Sequence, residues 1–124
     1  MRYVCLVYGE EAALLALPRE EFNQLVQASA EYDDVLERQG KLILAHALEP
    51  PSRATTIVTR GGKVVATDGP YSETKEQLLG FLLIEAADRQ EAIALASKVP
   101  MAAYGRMEIR AAGRPGDRHL LRLK

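Results

Sequence analysis

The sequence predicts an α+β domain, a ferredoxin-like split βαβ arrangement carrying an extra β-hairpin. Three observations predict it. The segments follow the order β-α-β-β-β-β-α-β, judged by whether apolar residues recur every second or every third to fourth position. The strand segments are apolar on both alternating faces, which suits strands covered on both sides. Only two segments have long helical periodicity, enough to cover one face of a small sheet. The second apolar face is then left bare. Pairing with another copy hides it, so the expected state is a two-fold homodimer.

A chain of 124 residues is one domain, long enough to bury a core without disulfide or metal staples. Hydrophobic residues make up 48% and charged residues 27%, the proportions of an ordinary soluble globular protein. The formal net charge of -1 gives no field to attract nucleic acid or an anionic membrane. The single cysteine, Cys5, excludes an internal disulfide framework and lies in an apolar run, so a buried structural thiol is expected. Met1-Arg2-Tyr3-Val4 opens no apolar leader, and no apolar stretch approaches the ~20 residues that span a bilayer. A cytoplasmic location is expected.

Taken in order, Tyr3 to Tyr8 is β-branched and aromatic and reads as a central strand, ended by Gly9-Glu10-Glu11. Glu11 to Leu17 reads as a loop or a helical turn. Pro18 suits the first position of a helix, with Glu20 and Glu21 at its positive end. Phe22, Leu25, Val26, Ser29, Tyr32, Val35 and Leu36 then form one stripe, and Gly40 follows as a left-handed C-terminal cap. Asp33 and Asp34 lie off the stripe and read as a solvated face, because neighbours on a helix point about 100° apart.

Lys41 to Leu48 reads as a strand with Leu42, Leu44, His46 and Leu48 on one face and Ile43, Ala45 and Ala47 on the other. His46 is thus an imidazole on an apolar face. It is either a hydrogen-bonded core residue or a general acid-base group, whose ordinary pKa suits that work. Glu49-Pro50-Pro51-Ser52 breaks the strand. Ala54–Thr59 and Lys63–Thr67 follow as a more exposed hairpin turning at Arg60-Gly61-Gly62. Gly80 to Glu85 is a further buried strand. Asp88-Arg89-Gln90-Glu91 has the form of a capping box before Ala92, Leu95, Ala96 and Val99, and Pro100 stops that helix. Arg106 to Arg110 alternates as a last strand. The domain is therefore placed at 1–110, with 111–124 as a flexible or partner-packed tail.

The most information-dense stretch joins the hairpin to the next strand: Thr67-Asp68-Gly69-Pro70-Tyr71-Ser72-Glu73-Thr74-Lys75-Glu76-Gln77. Asp-Gly-Pro is a strong turn signal, because Gly69 tolerates positive φ and Pro70 fixes its own. Such a turn can hold Asp68 rigidly at the mouth of a sheet, where site residues often lie. In the plainer reading Asp68 caps a turn, and Glu73, Lys75 and Glu76 are solvated loop charges.

Much chemistry is missing. The sequence has no glycine-rich phosphate loop, nucleophile elbow or cysteine cluster, and only His46 and His119 as histidines. It therefore calls for no metal and no cofactor, and its few aromatics are not set in a basic stripe for nucleic acid. What remains is a proton-transfer set. Asp68 and His46 are the candidate catalytic groups, with Tyr8, Tyr71, Lys75 and Tyr104 as substrate-binding candidates.

Several stretches resemble the YCII-related proteins of the DGPF subgroup. They are Met1 to Gly9, Leu48-Glu49-Pro50-Pro51, Ala54-Thr55-Thr56, the Thr67–Gln77 segment with Gly80-Phe81, and Tyr104-Gly105 with Glu108-Ile109-Arg110. The resemblance covers roughly Met1 to Arg110. It implies a bacterial protein forming a dimeric α+β barrel of the ferredoxin-like type. It also implies gene neighbourhoods shared with extracytoplasmic-function sigma factors. The wider family has a His-Asp pair on and after its first helix, and one branch performs a dehydrochlorination. Here that helix has no histidine, and Arg38-Gln39-Gly40 replaces the family's Asp-Glu-Gly, so the pair does not transfer.

Two functions follow as expectations. The first is binding or acid-base transformation of a small molecule in the barrel cavity. It needs Asp68, with a tyrosine or Lys75, to face a cavity of at least ~300 Å3. The alternative is a non-enzymatic regulatory module partnering a sigma factor, which needs an exposed patch for that partner.

Overall fold

The computed structural model describes residues 1–117. Strands β1 (Arg2–Gly9), β2 (Leu42–Ala47), β5 (Gln77–Glu85) and β6 (Gly105–Ala112) form one antiparallel sheet in the order β2-β5-β1-β6. Strands β3 (Thr55–Arg60) and β4 (Lys63–Asp68) pair only with each other as a separate hairpin. Helix α1 (Glu11–Leu15) is short, α2 (Arg19–Arg38) follows β1, and α3 (Arg89–Ala96) follows β5. The order agrees with the ferredoxin-like split βαβ expected from the sequence, with the hairpin inserted between β2 and β5. The sheet is open, with β2 and β6 as its edges.

The core lies between the helices and one face of this sheet. Tyr3, Cys5 and Val7 of β1 alternate inward with Leu82 and Ile84 of β5, and Leu36, Ala92 and Ala96 close over them. Burial pushes the Cys5 thiol up to about 11, so it is an inert packing group, as its apolar context suggests. The predicted stripe of α2 faces this core through Leu25 and Leu36, with Tyr32 donating to the Leu95 carbonyl at 2.6 Å.

Helix ends follow their local chemistry. Gly40 has φ +70°, and the N–H groups of Gly40 and Lys41 donate to the carbonyls of Glu37 and Leu36, the paired bonds of a Schellman motif. Pro18 stands one residue outside α2, as its cap. Asp88 caps α3 by accepting from the Glu91 N–H at 2.9 Å. Glu91 reaches back to accept from the Ala87 N–H at 2.7 Å and pairs with Lys41 at 3.2 Å. The Ala87 N–H, and then the Lys41 ammonium, hold the Glu91 carboxyl below its ordinary 4.5.

A carboxyl with a lowered folded pKa contributes stability above its unfolded value and loses it as pH falls through the folded one. Glu91→Gln is thus expected to lower the urea midpoint near pH 7, and to matter progressively less as the pH falls below the ordinary carboxyl value and the Glu91 carboxylate takes up its proton. An equal loss at every pH would show that the charge contributes nothing.

Of the two readings of Glu11 to Leu17, the helical turn is the one found, over Glu11–Leu15. Other details depart from the sequence reading: β5 begins at Gln77, and β6 runs two residues past Arg110. Of the tail expected over 111–124, Ala111 and Ala112 therefore belong to the sheet. Arg114 to Asp117 form a turn in which the Arg114 N–H donates to the Asp117 carboxylate at 2.7 Å. His119 and the rest of the tail lie outside the described residues. Among the described residues, no helix is long and apolar enough to cross a membrane.

The face assignment of β2 needs correction. Leu42 opposes Ile84 but Leu44 opposes Leu83, so Ile43 is an extra residue. This β-bulge breaks the alternation and puts Leu42 on the core face while Leu44 and His46 lie on the opposite, open face. His46 is exposed, not buried in an apolar layer. Its ring lies tilted against that of Phe81, centroids 6.0 Å apart.

Candidate functional site

The signature segment begins where β4 ends. Gly69 has φ +111°, which its missing side chain permits. Its N–H donates to the Ala54 carbonyl at 2.7 Å, and Thr56 Oγ1 donates to the Gly69 carbonyl at 2.8 Å. The base of the hairpin is therefore closed by main chain and a threonine. Downstream, Gln77 Nε2 donates to the carbonyls of Ser72 at 2.6 Å and Thr74 at 3.0 Å. Thr74 Oγ1 donates to the Glu76 carbonyl at 2.7 Å. Gln77 is the first residue of β5, so these bonds tie the loop to the sheet.

A second bulge aims the sheet at this loop. Val7 opposes Gly80 but Tyr8 opposes Leu78, leaving Leu79 extra. Without it, alternation would send Leu78 to the core side. With it, Leu78 joins Tyr8 on the open face. The result is a groove of about 890 Å3 between the end of the open face, the hairpin base and the signature loop. Tyr8, Leu48 and Leu78 form its floor, Pro51 and Thr56 one wall, and Tyr71 its rim. Its lining is mostly apolar. Its acidic members are compensated: Glu76 pairs with Arg106 at 3.2 Å and Glu49 with Arg53 at 3.4 Å.

The six residues singled out from the sequence are dispersed. Tyr8 and Tyr71 share the groove, which exceeds the size required of a ligand pocket. Lys75 lies on the other side of the loop, in a shallower cavity of about 410 Å3, with its ammonium 3.8 Å from Glu10. Asp68 is exposed at the end of β4 and lines neither cavity. Tyr104 ends the 3-10 turn Pro100–Ala103, also outside both. His46 lines a third, small cleft of about 200 Å3, between α2 and the β2 edge. Asp68 and His46 therefore do not converge. Among the described residues, no three His, Cys, Asp or Glu side chains are grouped to hold a metal.

That third cleft contains two residues the sequence reading passed over. Ser29 and Asp33, one turn apart on α2, both line it. Burial, and then the neighbouring Asp34 charge, push the Asp33 carboxyl above its ordinary value. The Ser29 hydroxyl oxygen is buried without a hydrogen-bond partner among the described residues. The signal was present in the sequence. Ser29 sits in the apolar stripe, and Asp33 follows it by four.

Similarity to known proteins agrees with this architecture. An uncharacterised protein of Rhizobium meliloti (strain 1021) is 34% identical over 121 residues, covering 94% of this chain and 98% of the relative. Residues 1–112 match the YCII-related domain, a span that starts before β1 and closes at the end of β6, taking in the whole sheet and the groove. The chain belongs to the YCII-related domain family.

Proposed function

We infer that the protein binds a small, uncharged or weakly acidic molecule with an aromatic or cyclic apolar body in the groove beside the signature loop. The observation that carries this is the groove itself. It has about 890 Å3 of mostly apolar space, with Tyr8 and Tyr71 among the residues that line it. That combination, apolar walls with sparse orienting groups, is what small-molecule sites present. With Glu76 and Glu49 paired to arginines, the groove offers no unpaired charge to demand an ion. The Asp68-Gly69-Pro70-Tyr71 turn, which shapes the rim, is also the feature that supports placement in the DGPF subgroup. Because Asp68 and His46 stand apart, the reading is one of binding, with no catalytic step assigned.

The test is a thermal-shift screen with small phenols and cyclic enols, followed by titration of any compound that raises the melting temperature. Tyr8→Phe removes one hydroxyl and is expected to weaken such a compound roughly fivefold, the worth of one hydrogen bond of about 1 kcal/mol. Tyr71→Ala removes the aromatic ring at the rim and is expected to cost on the order of tenfold. Compounds that bind both variants as tightly as the parent would place the site elsewhere.

A further inference from the structure

The small cleft between α2 and β2 owes its existence to the Ile43 bulge. Had the alternation of β2 run unbroken from Leu42, Leu44 and His46 would point to the core face and fill the space beneath the helix. The bulge sends both to the open face and turns Ala45 and Ala47 inward, opposite Leu82 and Gly80. Three of these four residues have one side-chain carbon or none, so this end of the sheet is too shallow to meet α2. About 200 Å3 is left between them, with Val7, Leu82, Val99 and Met101 as apolar walls. Above it, the stripe of α2 carries a hydroxyl where its pattern calls for an apolar residue. Ser29 Oγ is buried and has no hydrogen-bond partner among the described residues. An alanine there would leave no polar atom unsatisfied. Asp33, one turn further along, lines the same space half-buried. Burial, and then the Asp34 charge, raise its carboxyl, and among the described residues no donor or cation offsets them.

We propose that this cleft binds a small alkylammonium ion, a protonated primary amine with a tail of about three to five carbons. The ammonium brings what the cleft lacks: a positive charge beside Asp33, and N–H donors for its carboxylate and for Ser29 Oγ. The tail lies against Val7, Leu82 and Met101. Size sets the limit. At about 30 Å3 for each water-sized group, 200 Å3 holds roughly six non-hydrogen atoms. A ring with substituents needs the ~300 Å3 at which ordinary ligand pockets begin. Both polar groups are costly to the fold while the cleft holds only solvent, which is the pattern of residues held for binding at the expense of stability. The cleft shares no lining residue with the groove and lies on the other face of the sheet, so it is a second site, independent of the binding function inferred there.

Titration of the full chain with n-butylammonium chloride near neutral pH, followed by amide NMR spectra, tests this. The expected dissociation constant is on the order of 1 mM, which about five non-hydrogen atoms can supply, with the shifts centred on Ala45, Ala47 and Gly80. Asp33→Asn is expected to raise that constant at least ~10-fold, and Ser29→Ala roughly threefold to fivefold. Both variants are expected to melt higher than the parent, Ser29→Ala by roughly 3–5 °C, because each removes a desolvated group that lacks a partner. Weaker binding joined to greater stability is an outcome that a merely structural role does not produce. Variants that melt lower than the parent would show that Ser29 and Asp33 support the fold, and overturn the proposal. 1-Butanol matches the probe in size without its charge and is expected to bind at least ~10-fold more weakly. Butanol or butyrate binding as tightly as butylammonium overturns the assignment of a cation. No shift at Ala45, Ala47 or Gly80 at ten times the expected constant overturns the site itself.

Discussion

Gly105→Ala is expected to destabilise the protein by about 3 kcal/mol, the upper end for one inserted methyl group in a packed interior. A Cβ at 105 would run into the carbonyl oxygen of Tyr8 and lie 3.0 Å from the Gly9 Cα. Both obstacles are backbone of the central strand β1, and Gly105 and Gly9 oppose each other in the ladder. No rotamer change relieves the clash, so β6 must move away from β1 at that end. Denaturant midpoints and slopes for the two proteins measure the effect. A loss below about 1 kcal/mol would show that β6 shifts there without loosening the core.

Ile84→Ala is expected to cost about 4 kcal/mol, within the 2–5 kcal/mol typical of truncating a sealed core residue. Ile84 is 1% exposed and sits mid-strand on β5. It opposes Tyr3 on one side and Leu42 on the other. Its neighbours are held by two ladders and cannot collapse into the void. Against a usual total of about 5–15 kcal/mol, that is a large share of the stability. Ile93, on the outer side of α3, supplies the comparison: Ile93→Ala is expected to cost less than about 1 kcal/mol. Equal losses at the two positions would mean that Ile84 is not the sealed residue described here.

What the sequence made legible was what local chemistry decides. Pro18, the stripe to Leu36 and Gly40 delimit α2 because dipole, periodicity and left-handed cap act within a few residues of one another. Asp88 and Pro100 delimit α3 and its exit in the same way, and Gly61 and Gly62, both with positive φ, turn the hairpin as expected. Directions of side chains were less accessible. The bulges at Ile43 and Leu79 arise from pairing with strands far along the chain, and each reverses which face the adjoining residues occupy. The candidate site divided along this line. Tyr8 and Tyr71 line one groove because the Leu79 bulge turns the end of β5 toward the open face and the Gly69 turn carries the loop beside it. Asp68, expected at the site because the Asp-Gly-Pro turn could hold it at the mouth of the sheet, is an exposed strand end. Asp33 reads as solvated from its polar neighbours, but its spacing of four from Ser29 puts both on the helix face that lines the small cleft.

The position of β1 between β5 and β6 also bears on how the protein is made. Neither neighbour exists when β1 leaves the ribosome: β5 is complete only at Glu85 and β6 at Ala112. At about 5–20 residues per second, β1 waits roughly 4–15 s for its first partner. For that time Tyr3 to Tyr8 is an extended, apolar, unpaired segment, a template for the same segment on a neighbouring nascent chain. Helix α2 can form in the interval because its contacts are local, but it has no sheet to seal. Production of soluble protein therefore depends on the delay between residues 9 and 85, and slower initiation, which spaces the nascent chains apart, should raise it.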